Sequence, residues 1–282
     1  MLAILGGLGA ALCWAMAILV ASRATRLIDT RSLLASVMTV GLLIAAPAAA
    51  LSGVPENLDA GSAGWLAVSG AGNVVGLMCT YSALRIGKVG LVGPISSTEG
   101  AVTAVISVVA GERLAPGAGL SLAGIAVGVV LAAVSPAGDD DARRSDSRAA
   151  LLAGAAALSF GFSLYATGQV SRDLGIAWSL LPPRLVGVAV IALPLLVTRR
   201  WQVRRAALPF VVVGGLCEVL GFASFALGAR HGVAISAVLA SQFAAIAAVV
   251  SYVAFHERLA RVQVVGVATI VVGVSILGAL NG

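Results

Sequence analysis

Apolar runs of about 20 residues recur along the whole chain and are separated by shorter polar or charged stretches. A run of that length crosses a bilayer as one α-helix. Ten such segments can be marked, each bounded by a charged residue, a proline or a glycine. The pattern predicts an all-α, polytopic membrane protein with ten transmembrane helices. The segments are residues 1–21, 31–51, 64–84, 89–110, 116–135, 149–169, 177–197, 207–228, 233–254 and 261–280.

The two halves of the chain repeat one another in sequence. At an offset of 147 residues, the Ser-Leu-Leu run at 32–34 aligns with the run at 179–181. At an offset of 145 residues, the Glu-Arg-Leu run at 112–114 aligns with the run at 257–259. Paired motifs at nearly constant offsets predict an internal duplication.

The duplication predicts the domain organisation. Residues 1–135 make a first repeat of five helices, residues 136–148 a polar linker of mixed charge, and residues 149–282 a second repeat. Because five is an odd number, the second repeat is expected to cross the membrane upside down relative to the first. Inverted repeats are typical of secondary transporters, which bind substrate near the membrane midplane between the repeats.

Composition and charge agree with a membrane protein and indicate its orientation. Hydrophobic residues make up 60% of the chain, and the mean hydropathy is +1.05, far above that of a soluble domain. Of the 18 Lys and Arg residues, 14 fall in the loops after helices 1, 3, 5, 7 and 9. Positively charged loops favour the cytoplasmic side, so both termini are expected outside the cytoplasm. The charge of +6 therefore predicts orientation, not nucleic-acid binding.

Two related stretches carry a resemblance to a known family. GERLAPGAGLSLAGIAVGVVL at 111–131 and HERLARVQVVGVATIVVGVSIL at 256–277 resemble the joint between helices 4 and 5 in EamA-type transporters. These belong to the drug/metabolite transporter superfamily and have ten helices in two five-helix repeats. The resemblance covers essentially the whole chain. It implies a multi-pass exporter of small molecules in the cell (inner) membrane, not an enzyme, although the family more often keeps its termini in the cytoplasm.

Polar residues in the middle of predicted helices are the candidates for substrate binding, because an ionised carboxylate in hydrocarbon is unfavourable by at least about 2.5 kcal/mol. Glu99 lies in helix 4, where the family usually has proline. Asn73 in helix 3 and Glu218 in helix 8 occupy equivalent repeat positions, which inverted symmetry brings to one level. We therefore expect these side chains to face one cavity. The alternative for each glutamate is a structural ion pair.

Other polar and aromatic residues leave two interpretations open. Arg184 either reaches the membrane interface, with Pro182-Pro183 delaying the helix start, or points inward to a substrate carboxylate or a glutamate. Gln242 either binds substrate or joins two helices by a hydrogen bond. The candidates for aromatic cavity walls are Trp14, Tyr81 and Tyr165. Trp14 and Tyr165 could instead serve only in helix packing.

These features predict a secondary active transporter for a small metabolite or drug-like molecule. Two carboxylates and one arginine favour an amine or amino acid over a phosphorylated substrate. A carboxyl group away from water binds its proton more tightly, so alternating access could be coupled to proton exchange. The competing interpretation is a flippase for a lipid or lipid carrier. No cofactor, metal or nucleic acid is expected as a partner, and the chain is expected in the lipid bilayer as a monomer or homodimer.

Overall fold

The computed structural model describes residues 2–110, 117–133, 140–230, 239–255 and 261–281. Every regular element in that part of the chain is helical, and no strand occurs there. A π-helical turn, Val188–Ala192, follows α7, and a 3-10 turn, Arg205–Ala207, precedes α9. The α-helices are α1 Leu2–Ala24, α2 Thr30–Ser52, α3 Ala60–Ile86, α4 Val89–Ser96, α5 Glu99–Val109, α6 Ala118–Ala133, α7 Asp140–Gly187, α8 Leu193–Val197, α9 Leu208–Ala229, α10 Phe243–Phe255 and α11 Arg261–Asn281.

Six helical stretches within the described residues are long and apolar enough to cross a membrane. This confirms the prediction of an all-α, multi-pass membrane protein. The other predicted segments contain the short helices α4, α5, α6 and α10 and the 21-residue helix α11. Both Glu-Arg-Leu motifs lie outside the described residues. The six long stretches are Ile4–Ala24, Thr30–Ser52, Ala60–Ile86, Arg144–Ser171, Leu174–Val197 and Arg205–Gly228.

The start of α7 differs from the sequence prediction. The helix already begins at Asp140, so residues 140–148, predicted as part of the linker, are helical. A tertiary contact ties this extension to the bundle, because the Ser145 hydroxyl donates a 2.6 Å hydrogen bond to the Ile86 carbonyl at the end of α3. The polar sequence alone did not indicate that contact.

The junction between the sixth and seventh predicted helices is a single residue. Gly175, with φ of 79° and ψ of 168°, breaks α7 where a seven-residue connection was expected. Glycine adopts this left-handed backbone without the steric penalty of a Cβ atom. The helix continues through Pro182 and Pro183, so the expectation that they delay its start is wrong.

The fourth predicted segment is interrupted near its middle. Helices α4 and α5 meet at Ser97 and Thr98, one turn after Pro94. The Ser97 hydroxyl donates to the Pro94 carbonyl at 2.8 Å, and the Thr98 hydroxyl donates to the Ile95 carbonyl at 2.7 Å. The interruption puts Glu99 in the first turn of α5, where the positive end of the helix dipole favours a carboxylate.

Close helix packing is reciprocal between the two halves. In the contact between α6 and α11, a Cβ atom at Gly128 would lie 2.9 Å from Ile270, and one at Gly273 would lie 2.7 Å from Ile125. Adding 145 to the first glycine gives the second, and adding 145 to Ile125 gives Ile270. The same contact therefore occurs twice with the roles of the halves exchanged.

Candidate functional site

A cavity of about 60 Å³ lies inside the helix bundle. It has room for several water molecules, since one water needs at least about 10 to 15 Å³ of such volume. Helices α1, α3, α4, α5, α7, α9 and α10 all contribute side chains to its wall. The lining residues are Trp14, Ala17, Ile18, Asn73, Leu77, Thr80, Tyr81, Ser96, Glu99, Phe160, Ser163, Leu164, Glu218, Phe222 and Phe243.

The two candidate carboxylates line this same cavity. Glu99 comes from α5 and Glu218 from α9, and each residue is only 7% exposed. The two side chains are close enough to interact electrostatically. Two ionised carboxylates in one enclosed space repel each other, so the site favours a cation or a proton between them.

Several polar groups in the wall have unused hydrogen-bonding capacity. Both polar atoms of the Asn73 side chain and the hydroxyls of Thr80 and Ser96 are buried, with no hydrogen-bond partner among the described residues. A buried polar group left unsatisfied is unfavourable by about 1 to 3 kcal/mol. These groups are therefore positioned to bind water or a ligand in the cavity.

Positions related by the predicted internal duplication meet at the cavity. Three pairs of lining residues lie at the same offsets of 145 or 147 that align the sequence motifs. The cavity therefore lies where equivalent surfaces of the two halves face each other. The pairs are Ala17 with Leu164, Asn73 with Glu218, and Leu77 with Phe222.

Aromatic rings close one side of the cavity. The Trp14 ring lies 5.4 Å from Phe222 in an edge-on arrangement and 6.3 Å from Phe243, measured between ring centroids. Trp14 thus lines the cavity and also packs in the bundle, so both of its sequence interpretations apply. Tyr81 is 2% exposed and lines the cavity from α3.

Arg184 lies beside the cavity and does not line it. The residue is fully buried, which excludes the interpretation that it reaches the membrane interface. Its guanidinium carbon lies 5.2 Å from the centroid of the Phe222 ring, and it interacts electrostatically with Glu218. Of the two predicted orientations, the structure has the inward one.

Two candidates lie elsewhere. Gln242 donates a 2.8 Å hydrogen bond from its side-chain nitrogen to the Ser275 hydroxyl on α11, as in the helix-joining interpretation. Tyr165 packs edge-on against Trp65, with ring centroids 5.7 Å apart. Neither residue belongs to the cavity lining, because each side chain contacts a neighbouring helix instead.

Comparison with known proteins gives one family match. The profile of the EamA-like transporter family matches residues 1–134, just under half of the 282-residue chain. The matched residues are therefore similar to those of a family of transporters.

A solved structure shares the fold of the whole chain. One solved structure, described only as a crystal structure of a protein, superposes with a TM-score of 0.67 at 19% sequence identity. The superposition covers 99% of this chain and 98% of the other, so the fold is shared across both halves. No curated protein matches the sequence.

Several residues of the cavity wall were missed by the sequence analysis. Phe222 lies one turn after Glu218 on α9, and Phe160 and Ser163 lie on the same helix as Tyr165. Phenylalanine and serine are common in membrane helices, so composition alone did not distinguish them. For Phe222 a usable signal was the 145-residue offset from Leu77, which lines the opposite side.

Residues that could bind a metal ion do not cluster in the described ranges, where no group of three or more His, Cys, Asp or Glu residues could hold one. His231 and His256 lie outside those ranges. Cys13, Cys79 and Cys217 are free thiols at half-buried positions.

Proposed function

We propose that this EamA-like protein is a secondary active transporter that moves a small amine or amino acid by alternating access. The observation that carries the proposal is the interior cavity lined by both Glu99 and Glu218. Two carboxylates beside the unsatisfied polar groups of Asn73, Thr80 and Ser96 suit an ammonium group that also needs hydrogen-bond partners.

An inverted pair of repeats, residues 1–135 and 149–282 joined by the linker at 136–148, is the proposed framework. The reciprocal contacts of Gly128 with Ile270 and of Gly273 with Ile125 support it. Related halves that meet at a central cavity can rock against each other and open it to either side in turn.

Proton exchange on Glu99, with Glu218 as a second carrier, is the proposed coupling. Each carboxylate is buried in a cavity that has room for water. A carboxyl group releases its proton more readily when water enters and takes one up more readily when water leaves. Opening to one side and then to the other would therefore move protons across the membrane in the direction opposite to the substrate.

The proposed direction is export across the cell membrane, by a monomer or a homodimer with both termini outside the cytoplasm. The orientation rests on the basic residues of alternate loops, such as Arg199, Arg200, Arg204 and Arg205 between α8 and α9. A C-terminal reporter that is active only in the cytoplasm tests this orientation. Reporter activity would show that the C-terminus lies in the cytoplasm and would contradict the proposal.

A flippase for a lipid or lipid carrier is the competing function. A flippase needs a groove open to the bilayer, so that a headgroup can cross while its acyl chains stay in lipid. The low exposure of Glu99 and Glu218 in one interior cavity favours a small solute instead.

Transport by inverted vesicles with an imposed pH gradient tests the proposal. Wild-type vesicles are expected to take up members of a panel of amines and amino acids, and Glu99→Gln is expected to abolish the gradient-driven part. Glu56→Gln, an identical change at an exposed loop position, is the matched control and should leave uptake unchanged. Undiminished gradient-driven uptake by Glu99→Gln would exclude Glu99 as the coupling group.

A further inference from the structure

Arg184 is a buried cation without a hydrogen-bond partner. It is fully buried, and none of its three guanidinium nitrogens has a hydrogen-bond partner in the described part of the chain. Burying a charge is strongly unfavourable unless it is paired and hydrogen-bonded. The position of Arg184 therefore requires a compensating anion nearby.

The surroundings of Arg184 form a fitted seat on two neighbouring helices. A Cβ atom at Gly41 in α2 would lie 3.0 Å from Cγ of Arg184 and 3.1 Å from its Nε, so a larger residue at position 41 would crowd the arginine side chain. The Phe222 ring of α9 lies under the guanidinium at 5.2 Å, within the range of a cation–π interaction.

The same seat exists in the other half, without a charge. A Cβ atom at Gly187 would lie within 3.0 Å of several Met38 side-chain atoms, and an offset of 146 relates this pair to Gly41 and Arg184. Met38 is also fully buried. An uncharged methionine therefore fills this space in the other half, so packing alone does not require a charged side chain at Arg184.

The acidic side chain that interacts electrostatically with Arg184 is Glu218. It lies four residues before Phe222 on α9, and side chains four residues apart share a helix face. The Phe222 ring lines the cavity together with Glu218 and also contacts the guanidinium of Arg184. Arg184 and Glu218 therefore share Phe222 as a neighbour in addition to their interaction by charge.

We infer that Arg184 is a positioning residue, a resident counter-cation that compensates the charge of Glu218 while the cavity holds no cationic ligand. An incoming ammonium group then competes with Arg184 for Glu218. The ligand part of this inference rests on the proposed function, whereas the pairing of Arg184 with Glu218 does not.

A double-mutant cycle on thermal stability tests the pairing without any ligand. Arg184→Met, which copies the residue of the other half, and Glu218→Gln each leave one buried charge alone, and the double variant removes both. We expect the double variant to melt at least about 3 °C above the sum of the single effects. Additive effects overturn the inference.

Binding of phenethylamine to the purified protein tests the competition. Arg184→Met is expected to bind this amine about tenfold more tightly than wild type, the size of effect that a neighbouring charge commonly has. Arg184→Lys keeps the charge and should stay near wild type. Arg204→Met, at an exposed loop arginine, is the control for charge loss alone.

The alternative roles of Arg184 change the affinity in other directions. Weaker or unchanged binding by Arg184→Met, with wild-type binding intact, overturns the competition, because a substrate anchor or a purely structural residue gives those results. Binding of phenethylamine by neither protein overturns the competition and the proposed amine substrate together. The pairing with Glu218 is then still decided by the stability cycle alone.

Discussion

The two halves of the molecule match in shape where their helices touch and differ in charge at and beside the cavity. Glycine contacts recur with the halves exchanged, as at Gly128 and Gly273. Two buried pairs of positions related by the 145-residue offset instead carry unlike side chains, namely Asn73 with Glu218 and Glu99 with Ala244. Arg184 and Met38, each in contact with a glycine of the other half, also differ in charge.

This difference separates what the fold requires from what the cavity requires. Halves that repeat one another, as proposed, need complementary surfaces, and the reciprocal glycine contacts supply them on both sides. A binding site for a small cation needs charge at particular points, and a symmetric copy of Glu99 at Ala244 would place still more like charge in one bundle. Because charge is distributed unequally over two matched halves, a charged ligand would have one preferred orientation in the cavity.

The largest expected effect comes from removing the charged member of an unlike pair. We expect Glu218→Gln to weaken binding of a transported amine by about 10- to 150-fold, and Asn73→Ala by about 2- to 10-fold. The reason is that hydrogen bonds to charged groups contribute about 1.5 to 3 kcal/mol and neutral ones about 0.5 to 1.5 kcal/mol. Equilibrium binding to the purified variants measures both, and equal losses would contradict the functional asymmetry.

The shared scaffold should respond equally in both halves. A Cβ atom at Gly76 would lie 2.5 Å from the Phe160 ring, and one at Gly221 would lie 2.5 Å from the Trp14 ring. We expect Gly76→Ala and Gly221→Ala each to lower the free energy of unfolding by about 2 kcal/mol, the usual size for an overpacked core. Thermal melting in detergent measures this.

Gly124→Ala is the matched control for these two variants. A Cβ atom at this helical glycine would meet no atom within 4 Å, so the substitution should be neutral or slightly stabilising. A marked loss in only one of the two halves would contradict a scaffold that packs alike on both sides.

Most of the helices could be predicted from the sequence because membrane-spanning length is a local property. The segment predicted at 31–51, for example, is observed as Thr30–Ser52. The interruption at Ser97 and Thr98 was not predicted, because the segment at 89–110 is long and apolar enough to be one helix and neither Pro94 nor the polar residues after it fix where a helix breaks. The same holds for residues 140–148, whose helix is tied to the bundle by a contact with a distant helix end.

The candidate site was predictable where the duplication related two positions. The 145-residue offset put Asn73 and Glu218 at one level before any geometry was known, and both line the cavity. For Arg184, Gln242 and Tyr165 the sequence left two interpretations open and could not decide between them. Which helix a buried polar or aromatic side chain contacts depends on packing between segments far apart in the chain.

The junction between the first two helices of each half is built differently, and Gly175 carries it in the second half. Its φ of 79° lies in the region that a side chain with a Cβ atom rarely adopts. We expect Gly175→Ala to lower the free energy of unfolding by about 1 to 2 kcal/mol. Thermal melting measures the loss, and wild-type stability would show that the α7 break tolerates a side chain.

Asp29 is expected to stabilise the corresponding junction in the first half, with a smaller effect on the free energy of unfolding. Its carboxylate accepts hydrogen bonds of 3.0 Å from the backbone N–H groups of Arg31 and Ser32 and so caps the start of α2. Asp29→Ala should lower the free energy of unfolding by about 1 kcal/mol, while Asp29→Ser should restore most of it, because serine is also a good N-cap. Failure of serine to rescue would mean that Asp29 acts through its charge, and the two junctions would then differ in electrostatics as well as in backbone geometry.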